Sequence, residues 1–213
     1  CVASTATFVT VFVREQVGIP DGAILWLTAG AALVGMLGLM LLRNRVDGLG
    51  STPFLRIAFG WWVVYDGLWF LMATGVVGQG WLLAALVLLL AGFFGAIYEL
   101  SLTRLLMNTV SDRPATAQYF ALYSVIVSIV AGIAPILWGL LLDGLRGVQV
   151  PVGAYTLDGF ALFFALQWLL LSVVFVALLQ IKESSATSTR VLLHRIFVVA
   201  PGQRLAVWTG RGR

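Results

Sequence analysis

The stretch GFALFFALQWLLLSVVFVALLQI, residues 159 to 181, runs from Asp158 to Lys182 without a charged side chain. About 20 consecutive apolar residues are what a helix needs to cross the ~30 Å hydrocarbon core of a bilayer. In lipid every backbone polar group must find its partner internally, so such a run spans as a helix or as a strand of a closed barrel. Barrel strands alternate polar and apolar residues. Runs such as Leu86 to Leu90 (LVLLL) and the pair Phe93-Phe94 show no alternation, so the helix is expected.

The same test, applied outward from that stretch, finds further spans. Residues 22–42 lie between Asp21 and Arg43, and residues 57–77 are interrupted only by Asp66. Residues 81–107 follow the breaker Gly78-Gln79-Gly80, and residues 118–142 lie within the uncharged run between Arg113 and Asp143. The last span, taken with its flanking Asp158, covers 158–181. Residues 1–13 are apolar but short and read as the remnant of one more span. The expected fold class is all-α: a polytopic transmembrane helix bundle with five full spans and a truncated first one. The bundle covers residues 1–182, and residues 183–213 form a basic tail.

Composition excludes the soluble alternative. Hydrophobic residues make up 61% of the chain and charged residues 10%, against about 25% charged in soluble domains. A net charge of +4 raises nucleic acid as a partner, but the distribution of the charges argues for membrane topology instead. Arg43, Arg45, Arg56, Arg104, Arg113, Lys182 and the tail arginines fall on one side of the expected bundle; only Arg14 and Arg146 fall on the other. By the positive-inside rule the crowded side and the tail face the cytoplasm. The expected location is an integral protein of a bacterial plasma membrane. Cys1 is the single cysteine, so no intrachain disulfide forms. A start at Cys1, with no basic leader and no cleavage pattern, reads as a piece of a longer chain.

Two segments carry a family likeness. LRNRVDGLGSTP, residues 42–53, resembles the cytoplasmic loop of the major facilitator superfamily, in which an acid is followed by glycine, basic residues and often proline. Asp47, Gly50 and Pro53 match, whereas Gly48 and Ser51-Thr52 stand where basic residues are usual. Residues 113–143, RPATAQYFALYSVIVSIVAGIAPILWGLLLD, resemble that family's eleventh helix through a basic-Pro start, Gly132, Pro135, Gly139 and a terminal Asp143. The likeness implies the C-terminal six-helix half of a secondary active transporter, working by alternating access against a missing N-terminal six-helix half. It also implies an unidentified small-molecule substrate. Asp47-Gly48-Leu49-Gly50 and Asp143-Gly144-Leu145 occupy equivalent places under the family's three-helix repeat, although Asp-Gly turns are common after helices in any case.

Individual residues carry narrower expectations. Asp66 falls deep in its span, about 20 Å from Pro53 at 1.5 Å per residue. A carboxylate there costs at least about 2.5 kcal/mol unless it meets protein or water or is protonated. It is read either as a substrate or proton-coupling site, or as a carboxyl bonded to Tyr65, a Trp or a backbone group. The family likeness favours the second, since its ninth helix is peripheral. Phe94, Tyr98 and Glu99 are cavity candidates, with close packing as the alternative for the aromatics. Glu99 with Arg104, Arg43 and Arg45 forms an expected cytoplasmic charge latch, or else the charges simply snorkel. Gly92 and Gly95, and Gly30, Gly35 and Gly38, mark close helix packing. Pro135, between Gly132 and Gly139, is expected to kink its helix. Gln118, Tyr119, Tyr123, Ser124 and Ser128 form a polar stripe suited to interhelical hydrogen bonds. In the tail, VLLHRIFVV (191–199) is too short to span and is expected on the inner membrane surface. No nucleophile–base set, phosphate loop or nucleotide fingerprint occurs, and His194 is the only histidine. No enzyme activity, cofactor or metal is expected. The competing reading is a non-transporting membrane scaffold or assembly factor on the same fold.

Overall fold

The computed structural model describes residues 2–49, 51–110, 116–152 and 155–180. The chain forms α1 (Val2–Phe12), a single π turn (Val13–Val17), α2 (Asp21–Leu49), α3 (Ser51–Ala73), α4 (Trp81–Val110), α5 (Thr116–Leu145), a two-stranded hairpin of β1 (Val150–Val152) and β2 (Tyr155–Leu157), and α6 (Gly159–Leu179). Five helices, α2 to α6, are long and apolar enough to cross a membrane. The chain is a polytopic, helical integral membrane protein. Among the described residues the one departure from helix and loop is the short antiparallel hairpin, in which Pro151 faces Thr156; an edge position tolerates a residue that cannot donate a backbone bond.

Several boundaries differ from the sequence expectation. The third span is not 57–77 but 51–73. Pro53 sits in the first turn of α3, where its missing N–H leaves no bond unmade. At the other end Gly75 adopts φ 73°, and its N–H meets the Met72 carbonyl at 3.1 Å, which closes the helix early. The loop expected from 43 to 56 is helical on both sides, with Asp47 in the last turn of α2 and Gly50 outside the described residues. The first span continues four residues past Val13 through the π turn and stops at Gly18, φ 75°. The tail 183–213 lies outside the described residues.

Contacts fix how the helices run. Gly67 faces the Trp168 indole, Gly60 faces the Phe175 ring, and Arg56 Nη2 donates to the Leu179 carbonyl at 2.9 Å, so α3 and α6 are antiparallel. Trp61 stacks on Phe94 with ring centroids 4.8 Å apart, and Phe59 meets Tyr98 at 6.1 Å, so α3 and α4 are also antiparallel. On α2, Ala31 lies against Gly92 and Gly35 against Gly92 and Ala96, so α2 and α4 run parallel. Phe12 touches Trp69, Phe160 and Phe164, while Phe8 touches Phe163. With Phe8 also facing Gly139, α1 packs where α3, α5 and α6 meet, its nearest backbone neighbour being α5, and it runs antiparallel to α6. These directions agree with a chain that crosses the bilayer alternately.

The α2–α4 seam is a backbone contact. A Cβ built on Gly92 would overlap the carbonyl of Ala31 and stand 2.8 Å from its Cα; one on Gly35 would stand 2.8 Å from the Gly92 oxygen. Small residues permit such an approach in membrane helices, where close packing replaces the hydrophobic drive. The main core gathers Phe8, Val9, Phe12, Val13, Trp69 and Phe164 with their neighbours from α4 and α5. A smaller cluster of Phe54, Ala58 and Ile97 closes the arginine-bearing end.

Helix α5 divides sharply along its length. Leu122, Ile126, Ile133 and Leu137 make one broad exposed apolar side. Ala121, Ser124, Ser128, Gly132, Pro135 and Gly139 recur at helical spacing on the opposite side. At Gly139 a Cβ would lie 3.9 Å from the Phe8 ring, so this small-residue side turns toward α1, but at Gly132 nothing described lies within 4 Å. The helix runs unbroken through Pro135.

Candidate functional site: a polar layer around Asp66

Six polar side chains are buried among the described residues: Thr5, Ser51, Thr52, Asp66, Ser101 and Gln167. They fall into two groups. Ser51 and Thr52 open α3 at the arginine-bearing end, and the α3–α4 register sets Ser101 near Leu55 there. Thr5, Asp66 and Gln167 form the other group, one residue each from α1, α3 and α6.

The packing of aromatic rings shows why these three share a layer. Phe12, Trp69 and Phe164 make one rung, and Phe8 with Phe163 begins the next. One turn further on, α1 presents Thr5 and α6 presents Gln167, because the two helices run in opposite directions. Asp66 stands one turn before Trp69 on the same face of α3. By the pairing of Gly67 with Trp168, Gln167 is level with residue 68 of α3. At 1.5 Å per residue the three positions fall within about 6 Å of one another along the bundle axis.

Each is enclosed: Thr5 and Asp66 are 2% exposed and Gln167 is 3% exposed. Asp66 therefore faces the helical interior and not the lipid. Its Oδ1 meets no hydrogen-bond partner among the described residues, and neither do Gln167 Oε1 and Nε2. Buried polar atoms are ordinarily paired, and each such orphan costs about 1–3 kcal/mol. The indole N–H groups of Trp62 and Trp69, also unpartnered and buried, lie one turn to either side of Asp66 on α3. Because α3 begins at Ser51, Asp66 is about 22 Å from that end and about 10 Å from Ala73. The layer is displaced from the middle toward the end that carries the α5–α6 hairpin.

The remaining sequence candidates do not join this layer. Phe94 and Tyr98 pack on Trp61 and Phe59 in the α3–α4 seam. Glu99 is exposed and, in the α3–α4 register, about 13 Å from the level of Asp66. Arg43 and Arg45 are level with residues 102 to 104 of α4, beside Arg104; their side chains, and Asp47's, lie outside the described residues, as does any latch with Glu99. Gly132 and Gly139 belong to the small side of α5. Gln167 and Thr5 escaped the sequence reading. The signal for Gln167 was available: an amide near the middle of an otherwise apolar run. Thr5 was not distinguishable from any threonine in a short apolar segment.

A second polar locus closes the hairpin end, beyond the Asp66 layer. A cavity of about 230 Å³ is lined by Val11, Glu15, Leu142, Arg146, Asp158 and Phe160, among others. Asp158 Oδ1 accepts the Ala161 N–H at 2.8 Å, capping α6, while Oδ2 accepts Gln16 Nε2 at 2.6 Å from the π turn. One carboxylate thus satisfies a helix start and ties α1 to α6. The Arg14–Glu15 and Arg146–Asp143 pairs, at 3.6 and 3.2 Å, are half or more exposed and add little stability. Among the described residues no group of three or more His, Cys, Asp or Glu side chains could hold a metal ion.

The chain matches no protein-family model, no curated protein and no solved structure.

Proposed function

We propose that this chain is the C-terminal six-helix half of a secondary active transporter of the major facilitator type, moving a small solute by alternating access against a second six-helix half. The observation that carries this reading is the small side of α5. Ser124 and Ser128 lie inside the span, exposed and backed by Gly132 and Pro135. Polar groups and a narrow helix face inside a membrane belong against protein or a water-filled cavity, not against lipid. A second bundle enclosing an aqueous path covers that side and leaves the Leu122–Leu137 side to the bilayer. Two further features fit. The Asp-Gly-Leu segments at 47–49 and 143–145 end α2 and α5, equivalent helices under a three-helix repeat. The arginine-rich end, with Arg56 on the last turn of α6, fits a cytoplasmic face.

Thiol accessibility tests the reading. With Cys1 replaced by Ser, single cysteines at Ser124, Ser128, Ile126 and Ile133 are probed in membranes with a hydrophilic, membrane-impermeant maleimide. The serine positions are expected to react and the isoleucine positions to stay unlabelled. Serine positions as inert as the isoleucines would remove the aqueous path and leave the scaffold function as the better account.

A further inference from the structure

We infer that Asp66, Gln167 and Thr5 form a binding site for one monovalent cation, sodium in size and hardness, held between α1, α3 and α6. The site does not depend on the transporter reading and uses none of its observations.

The donor set is chemically consistent. A carboxylate oxygen, an amide oxygen and a hydroxyl oxygen are hard ligands, which suit alkali and alkaline-earth ions and not the softer transition metals. Asp66 is 98% enclosed and Gln167 97% enclosed, and the acceptor atoms Asp66 Oδ1 and Gln167 Oε1 lack a partner among the described residues. A direct bond, with Gln167 Nε2 donating to Asp66 Oδ1, would satisfy only one of these two acceptors, and it is not made. A cation placed between them satisfies both oxygens at once. Among the described residues Asp66 is the one buried carboxylate, which favours a monovalent ion over a divalent one. A divalent ion would leave an uncompensated charge in a low-dielectric interior, which is far more costly. The indole N–H groups of Trp62 and Trp69 cannot ligate a cation, but as donors they can orient the carboxylate that does.

The experiment uses the full chain, purified in detergent or nanodiscs, and follows thermal unfolding by tryptophan fluorescence while sodium chloride replaces choline chloride at constant ionic strength. A saturable rise in Tm is expected, about 5–11 °C at a hundredfold excess over Kd, with one equivalent of radioactive sodium bound. Asp66→Asn is expected to abolish both, and Gln167→Leu to weaken binding about tenfold. Should Asp66→Asn not fold, Gln167→Glu supplies the second arm: an added carboxylate is expected to shift preference from sodium to calcium. The inference is overturned if wild-type Tm is indifferent to sodium, if stabilisation follows pH alone, if Asp66→Asn retains the sodium response, or if Gln167→Glu leaves ion preference unchanged.

Discussion

Replacing Gly92 by alanine adds a single methyl group where the structure has no room for one. The new Cβ would lie 2.8 Å from the Ala31 Cα and overlap the Ala31 carbonyl, whereas ordinary Cβ contacts begin at about 3.4 Å. The obstacle is backbone, so no side chain can swing aside. Relief requires α2 and α4 to separate by about 1 Å or more along their whole seam, loosening Gly30 against Leu89 and Gly38 against Phe93 as well. Overpacking of this kind costs about 1–3 kcal/mol, and a rigid backbone neighbour places Gly92→Ala at the upper end. For a chain of this size that corresponds to a Tm lower by about 5–10 °C. The control is Gly132→Ala, where nothing described lies within 4 Å and alanine is the better helix former by about 1 kcal/mol. Both variants are to be measured by thermal unfolding in one detergent. Equal Tm values for Gly92→Ala and Gly132→Ala would refute the backbone-contact account of the seam.

Other perturbations have definite outcomes. Asp158→Ala removes the cap of α6 and the bond from Gln16 together; a loss of about 2 kcal/mol is expected, with faster amide exchange confined to residues 159–162 and the π turn. Arg56→Met removes the bond to the Leu179 carbonyl, and faster exchange at the end of α6 is its readout. Trp61→Ala strips the stacking partner from Phe94 and empties part of the α3–α4 seam, lowering stability by about 3–5 kcal/mol; Trp81→Ala, at an exposed helix start, is expected to change stability by less than about 1 kcal/mol.

Spans were legible because charge is a long-range veto in lipid: one run without Arg, Lys, Asp or Glu announces a helix whatever its detailed partners. Ends were less legible. The stretch Arg43 to Arg56 looks like a loop because it is polar, yet polarity at a membrane surface is compatible with helix, and Pro53 in a first turn does not interrupt one. The π turn has no sequence marker; it arises where α1 must still bury Val13 while turning Gln16 toward Asp158. The glycines of α2 and α4 correctly signalled close packing, but their spacing could not say that the two helices meet each other. Asp66 was visible as an anomaly at once. Its surroundings were not, since Thr5 and Gln167 come to its level from opposite ends of the chain, and only the antiparallel packing of α1 on α6 sets them there.

That long separation has a consequence for biogenesis. The inner face of α1 is completed by Phe160, Phe163 and Phe164 of α6, which leave the ribosome after α1 to α5. Until α6 enters the bilayer, α1 has Trp69 but not its other ring partners, and Asp66 lacks one of the walls that enclose it. The interior around Asp66 is therefore closed only when α6 arrives, and a chain interrupted before residue 159 would leave a carboxyl facing lipid or translocon. Such an intermediate displays its own incompleteness, a feature that membrane quality control can read without reference to what the finished protein does.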